Sequence, residues 1–140
     1  MNSKGFTFIE LIIVMAITGI LATIAYASYV DFITRAHRTD GQSALLNLAN
    51  RMELYYAEHN TYATATLGNK ALGRAISPEN IYVLSIIRAT KKGYALQATP
   101  LGRQGIADTR CQSLTLNDIG QKGITTGPAG APTGTETQCW

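Results

Sequence analysis

Hydrophobic residues run almost unbroken from Phe6 to Val30, recur at three- and four-residue spacing as far as Glu58, and alternate in short segments beyond Ile81. Each pattern predicts a different element. The first run of 25 residues would be about 37 Å long as an α-helix. A bilayer hydrocarbon core is about 30 Å thick, so the run can span it with some tilt. No proline interrupts it and Gly19 is its only glycine.

From about Thr34 the pattern becomes amphipathic. Leu45, Leu48, Ala49, Met52 and Tyr55 or Tyr56 share one helical face, while Arg35, Arg38, Asp40, Gln42, Asn47, Asn50 and Glu53 fill much of the remainder. One continuous helix from Phe6 to Glu58 is predicted. Its first half is apolar all round and needs lipid or a protein bundle; its second half has one face to bury, and a sheet is the obvious cover. Ile81–Arg88 is β-branched and aromatic-rich, Ala89–Gly93 reads as a turn, and Tyr94–Thr99 alternates as a second strand ending at Pro100. Ser113–Asn117 alternates again before a turn at Asp118–Gly123. The expected fold is α+β, a long N-terminal helix packed through its second half on three or four antiparallel strands. Asn60–Asn80 links helix to sheet, and Gly127–Gly134, with Pro128 and Pro132, is expected to be irregular and exposed.

Composition sharpens the division. Charged residues make up only 15% of the chain, against about a quarter in ordinary soluble domains. The deficit lies at the front: every Lys and Arg except Lys4 falls at Arg35 or beyond. Lys4 ahead of the run predicts a cytoplasmic N-terminus and an external C-terminus. A cleaved secretory signal is the rival, but its apolar stretch would be shorter, and Ala25-Tyr26-Ala27 would be a cleavage site only at the far end. A net charge of +3 permits an anionic partner without demanding one.

Glu10 stands inside a span that should carry no charge, where an acid costs roughly 2.5–3.5 kcal/mol at mid-membrane and less near the edge. In the simpler reading it sits at the cytoplasmic boundary among headgroups. In the sharper one, cleavage after Gly5 exposes an α-ammonium on Phe6, and Glu10 of one subunit neutralises that ammonium on the next within a bundle of parallel helices. A charge left unpaired in such an apolar core is costly.

Lys4-Gly5-Phe6-Thr7-Phe8-Ile9-Glu10-Leu11 followed by the apolar helix resembles the class III signal of type IV prepilins and the related pseudopilins. The resemblance implies a leader, Met1–Gly5, removed by prepilin peptidase, and N-methylation of Phe6; the short leader suggests the type IVa branch. It implies residence in the inner membrane, single-pass with the C-terminus periplasmic, before assembly into an extracellular pilus with other pilin subunits. The expected layout is residues 1–5 leader, 6–30 membrane and filament-core helix, 31–58 amphipathic helix, 59–80 loop, and 81–140 sheet with a C-terminal disulfide region. Many members of the family carry a kinking proline where Ala27 stands, so this helix is expected to run straighter.

The two cysteines, Cys111 and Cys139, fall on the external side, where disulfides form. Closing this loop should contribute roughly 3–4 kcal/mol in the chain-entropy model. A metal site is the rival, but His37 and His59 lack ligand-like spacing to the cysteines. The pair also resembles the C-terminal disulfide of type IV pilins, which type II secretion pseudopilins usually lack.

No G-x-S-x-G, phosphate-binding glycine loop or metal cluster is present, so neither catalysis nor a cofactor is expected. Asp108, Asp118, Glu79 and His59 read as turn, cap and surface residues. The head resembles the small minor pilins of the PilE and ComP-like group, through Leu54-Tyr55-Tyr56, Asn60-Thr61-Tyr62-Ala63, Ala98-Thr99-Pro100, Gln104 with Asp108, and Cys111 to Gly120. A major structural pilin and a secretion pseudopilin are the alternatives, and pilus assembly, DNA uptake, adhesion and twitching motility are the roles such a subunit serves. For extracellular double-stranded DNA the candidate contacts are Arg88, Lys91, Lys92, Arg103, Arg110 and Lys122. They form one basic stripe if the hairpin turn and the disulfide loop are neighbours; otherwise they are ordinary solvated charges.

Overall fold

The computed structural model describes residues 5–68 and 72–140. Of the expected leader it therefore describes Gly5 alone; Lys4 lies outside the described residues, as do residues 69–71 of the expected loop. The chain falls into two units, one ending at Ile33 and a second, Thr34–Trp140, that forms the head.

Helix α1 runs from Phe8 to His59. Its start is fixed by a reciprocal cap: the Thr7 hydroxyl accepts from the Glu10 backbone N–H at 3.3 Å, and the Glu10 carboxylate accepts from the Thr7 N–H at 3.5 Å. Every residue from Gly5 to Tyr29 is exposed. Within the helical part of this stretch the hydroxyls of Thr18 and Thr23 donate back to the carbonyls of Val14 and Ile20 at 2.7 Å. Their polarity is thereby consumed inside the helix, as an apolar medium requires.

In the head, four antiparallel strands lie in the order β1-β2-β3-β4: β1 (Tyr82–Ala89), β2 (Tyr94–Pro100), β3 (Ser113–Asn117) and β4 (Lys122–Thr125). Burial along β2 alternates strictly, with Tyr94, Leu96, Ala98 and Pro100 inward. These residues and Tyr82, Leu84, Leu114 and Leu116 form a core with Ala44, Leu45, Leu48 and Met52 of α1. Gly41 allows the closest approach, since a Cβ there would lie 3.0 Å from the Tyr82 ring. The expected helix face and the first three strands are thus present. The Asp118–Gly123 turn is shorter than expected, because Lys122 and Gly123 already belong to β4. Two short helices add to the expected elements, α2 (Gly102–Ala107) and α3 (Glu136–Cys139).

Cys111 and Cys139 are joined by a disulfide and both are buried. It holds α3 and the exposed or half-exposed Gly127–Gly134 segment to the body of the head.

Two oppositely charged residues are buried together, one of them against expectation. Asp108, expected at the surface, is 1% exposed, and Arg38 of α1 is 7% exposed. Their side chains form a two-pronged pair, Arg38 Nε to Asp108 Oδ2 at 2.6 Å and Nη2 to Oδ1 at 2.9 Å. The Cys111 backbone N–H and the Gln104 amide complete the carboxylate's shell at 3.2 and 3.3 Å. The physical reason for the correction is partnership. A charge reaches the interior only when paired and fully hydrogen-bonded, and two residues 70 positions apart supply this together. Asp108→Ala should therefore destabilise the head by about 3–5 kcal/mol, because it strands the Arg38 charge, as urea denaturation would measure.

Three phenols titrate late. Burial pushes Tyr82 up to about 12, with the Gln104 amide at its hydroxyl partly opposing. Burial, reinforced by donation to Glu53, pushes Tyr62 up to about 12 and Tyr94 higher still. The folded head keeps these protons where the unfolded chain, titrating near the ordinary 10.0, has lost them. Their contribution is complete below pH 10 and lost as pH rises through about 12. Stability should thus fall steeply above pH 10, and Tyr94→Phe should flatten that fall in a series of thermal melts.

Candidate functional site

Two regions carry the residues singled out from sequence, and each is described by itself. At the N-terminal end, Gly5 has open space around it and Phe6 is 82% exposed. The first turn of α1 presents Glu10 as its acidic residue, a placement that the positive end of the helix dipole favours. Thr7 is the capping residue that the motif alone left unassigned; its signal was legible in the Thr-x-x-Glu spacing of a capping box.

In the head, the six basic candidates do not form one stripe. Two polar contacts with α1 set the scale. At one end of the sheet the Gln104 amide of α2 donates to the Thr34 carbonyl at 3.0 Å. At the other, Tyr94, which opens β2, donates to Glu53 at 2.9 Å. The nineteen residues between Thr34 and Glu53 measure about 28 Å along a helix. Arg103 lies in α2 and Arg110 three residues beyond it at the Thr34 end, whereas Lys91 and Lys92 lie in the β1–β2 turn at the Glu53 end. The hairpin turn meets the disulfide-bounded segment through its Asp118–Gly120 turn, where the Asp118 N–H donates to the Tyr94 carbonyl at 3.2 Å, but Arg103 and Arg110 stand at the other end of the sheet. The reason is topological: β2 must run its whole length from that turn before the chain reaches α2 and Cys111.

The remaining two candidates are separated by strand parity. Arg88 pairs with Ala95, an outward position of β2, while Lys122 pairs with Leu116 on the inward face. A bulge between Ile86 and Arg88 turns Arg88 outward. Lys122 lies 5.1 Å from the centre of the Trp140 ring, whose indole N–H donates to the Gly123 carbonyl at 2.9 Å. Arg88, Lys91 and Lys92 thus make a compact basic group at the far tip. Beside it stand the exposed Asp118, next to Gly93 of the same turn, and the Tyr56, Tyr62 and Tyr94 rings, whose centres are 4.6 and 4.9 Å apart in sequence.

A groove of about 460 Å³ opens between α1 and the segment leading into β1, with Ala44, Leu48 and Leu84 among its apolar walls and Arg51 and Arg74 at its rim. Among the described residues no group of His, Cys, Asp and Glu is placed to hold a metal ion. Its lining includes one hydroxyl, Ser43, which donates to the Asp40 carbonyl at 3.0 Å, and no His, Asp or Glu.

Comparison with known proteins agrees with this geometry. A family model described as "Type IV minor pilin ComP, DNA uptake sequence receptor" matches residues 27–115, and one described as "Prokaryotic N-terminal methylation motif" matches residues 1–26. The type IV wide pilus major component PilA4 of Thermus thermophilus is 33% identical over 69% of this chain and 73% of its own length. The fimbrial protein EcpC of Eikenella corrodens is 34% identical over 60% of this chain, and the type IV major pilin PilE1 of Neisseria gonorrhoeae 33% over 70%. This chain spans only 53% and 58% of the length of those two. A crystal structure of the non-core minor pilin PilV of Neisseria meningitidis superposes with a TM-score of 0.52 and 21% identity, over 74% of this chain and 97% of that one, and shares its fold. Proteins of this kind are structural subunits rather than enzymes, and the chain belongs to the type IV pilin family.

Proposed function

We propose that this chain is a minor subunit of a type IV pilus, anchored in the inner membrane by residues 6–30 until it polymerises through that same helix. One observation carries the anchoring and polymerising roles: the whole apolar stretch from Phe6 to Tyr29 is exposed among the described residues. Lipid covers it before assembly and neighbouring subunits cover it afterwards. Prepilin peptidase removes residues 1–5 at the Gly5–Phe6 bond, and Phe6 is N-methylated. Glu10 then serves twice. In the membrane its carboxylate is held by the Thr7 cap and the helix dipole; in the filament it neutralises the Phe6 ammonium of an adjacent subunit. Glu10→Val should leave insertion and leader cleavage intact but strongly reduce recovery of the chain in sheared surface fibres, as immunoblotting would show. Undiminished recovery would remove the pairing role.

The printed description of the ComP family model favours a further role in binding DNA, and the tip group Arg88, Lys91 and Lys92 is the place for it. Those three lie at the end of the head remote from Thr34, where a duplex has free approach. With two lysines removed, Lys91→Glu/Lys92→Glu should weaken duplex retention of the full chain in detergent micelles and lower the salt slope by about two. Gel shifts over a range of salt would read this, and an unchanged slope would take the contact away from the tip.

A further inference from the structure

We propose that the groove between α1 and the segment leading into β1 binds a medium-chain aliphatic carboxylate. Every residue lining it belongs to the head. Its volume of about 460 Å³ falls within the roughly 300–1,000 Å³ of small-molecule sites. Ala44 and Leu48 of α1 face Ile76, Pro78 and Leu84 across it. A hydrocarbon chain laid between these side chains gains about fourfold in affinity for each methylene it withdraws from water.

The rim carries the charge. Arg51 Nη1 donates to the Leu72 carbonyl at 2.7 Å, and its guanidinium lies against Gly73, where a Cβ would collide with it. Gly73 also has a φ of +85°, a conformation that a side chain would strain. Arg74 Nη2 donates to the Asn80 side-chain oxygen at 3.1 Å. Each guanidinium is thus steadied by one neutral acceptor and keeps further donors to offer. Neither arginine is ion-paired among the described residues, and the lining contains no acid. Glu58, which lines a smaller hollow that Arg51 also borders, lies 4.0 Å from His59 instead. Two held cations beside an apolar floor, with no acid to neutralise them, complement an anion joined to a hydrocarbon. A guanidinium meets a carboxylate through paired donors.

A peptide fits this lining poorly. The edge of β1 that borders the groove is already paired: the Ser77 N–H donates to the Tyr82 carbonyl and the Leu84 N–H to the Ala75 carbonyl, both at 2.9 Å. Besides the arginines, Ser43 and Asn47 are the polar side chains in the lining, and the Ser43 hydroxyl is spent on the Asp40 carbonyl. A peptide backbone laid here would leave amides without partners, at a cost that an alkyl chain does not incur.

The test uses the full chain in lipid nanodiscs and, as probe, decanoate carrying an alkyl diazirine near its methyl end. After photolysis, peptide mapping should find saturable labelling within residues 43–48 and 76–84. Decanoate should compete for it, and octanoate, two methylenes shorter, should compete about fifteenfold less well. The matching decanol probe should label these residues several-fold less. Arg51→Gln/Arg74→Gln should bring the carboxylate down to the decanol level, whereas Arg51→Lys/Arg74→Lys, which keeps the charge, should stay above it. Asn47→Trp, at an exposed position in the lining, should remove labelling by both probes. Labelling confined to residues 6–30, or groove labelling that Asn47→Trp leaves intact, would overturn the proposal. Equal labelling by acid and alcohol would overturn the charge assignment. Competition by an acidic peptide at concentrations as low as those of decanoate would give the groove to a peptide, and the proposal would fail.

Discussion

An apolar helix left exposed among the described residues is the constraint on which the rest of this molecule depends. The stretch from Phe6 to Tyr29 is exposed throughout, and water is not a tolerable surrounding for that much contiguous hydrocarbon. It must reside in lipid or among other helices. Backbone hydrogen bonding inside α1 and the back-bonded hydroxyls of Thr18 and Thr23 leave it almost no polar demand. Glu10 is the charged exception, and a carboxylate left unpaired in an apolar bundle would be costly.

The head answers a different problem, which is to keep a four-stranded sheet and a long C-terminal excursion fixed to one amphipathic helix. Apolar packing of Leu45, Leu48 and Met52 against Leu96, Leu114 and Leu116 supplies the core. The polar attachments secure its margins. Arg38–Asp108 and Gln104 hold α2 near Thr34, Gln42 donates to the Cys139 carbonyl at 2.7 Å, and Glu53 receives two tyrosine hydroxyls near the tip. The disulfide then closes the last excursion. Each attachment reaches α1 at a different level, so the helix serves as the ruler along which the head's surfaces are separated.

That separation explains which features were legible in the sequence. The long helix, its buried face and three strands follow from periodicity, since hydrophobic spacing reports directly on which face is covered. The fourth strand, Lys122–Thr125, is only four residues long and has two exposed or half-exposed glycine and lysine positions, so no alternation marks it. Helices α2 and α3 are held by tertiary bonds and a disulfide rather than by propensity, with two glycines in the six residues of α2. The burial of Asp108 was illegible for the same reason: its partner, Arg38, lies 70 positions away. At the N-terminus the acid and its spacing from Phe6 were visible directly, as was the capping signature that Thr7 completes. Among the basic residues, identity was legible and adjacency was not, because strand direction and parity decide which of them meet.

The central claim is that the same helix serves first as a membrane anchor and then as filament core, after its leader has been removed. Mass spectrometry of the subunit recovered from sheared surface fibres tests this most directly. The account predicts a chain that begins at Phe6, carries a methylated α-amino group there and retains the Cys111–Cys139 bond. A chain that keeps residues 1–5, or one found only in the membrane fraction and never in the fibres, would contradict it.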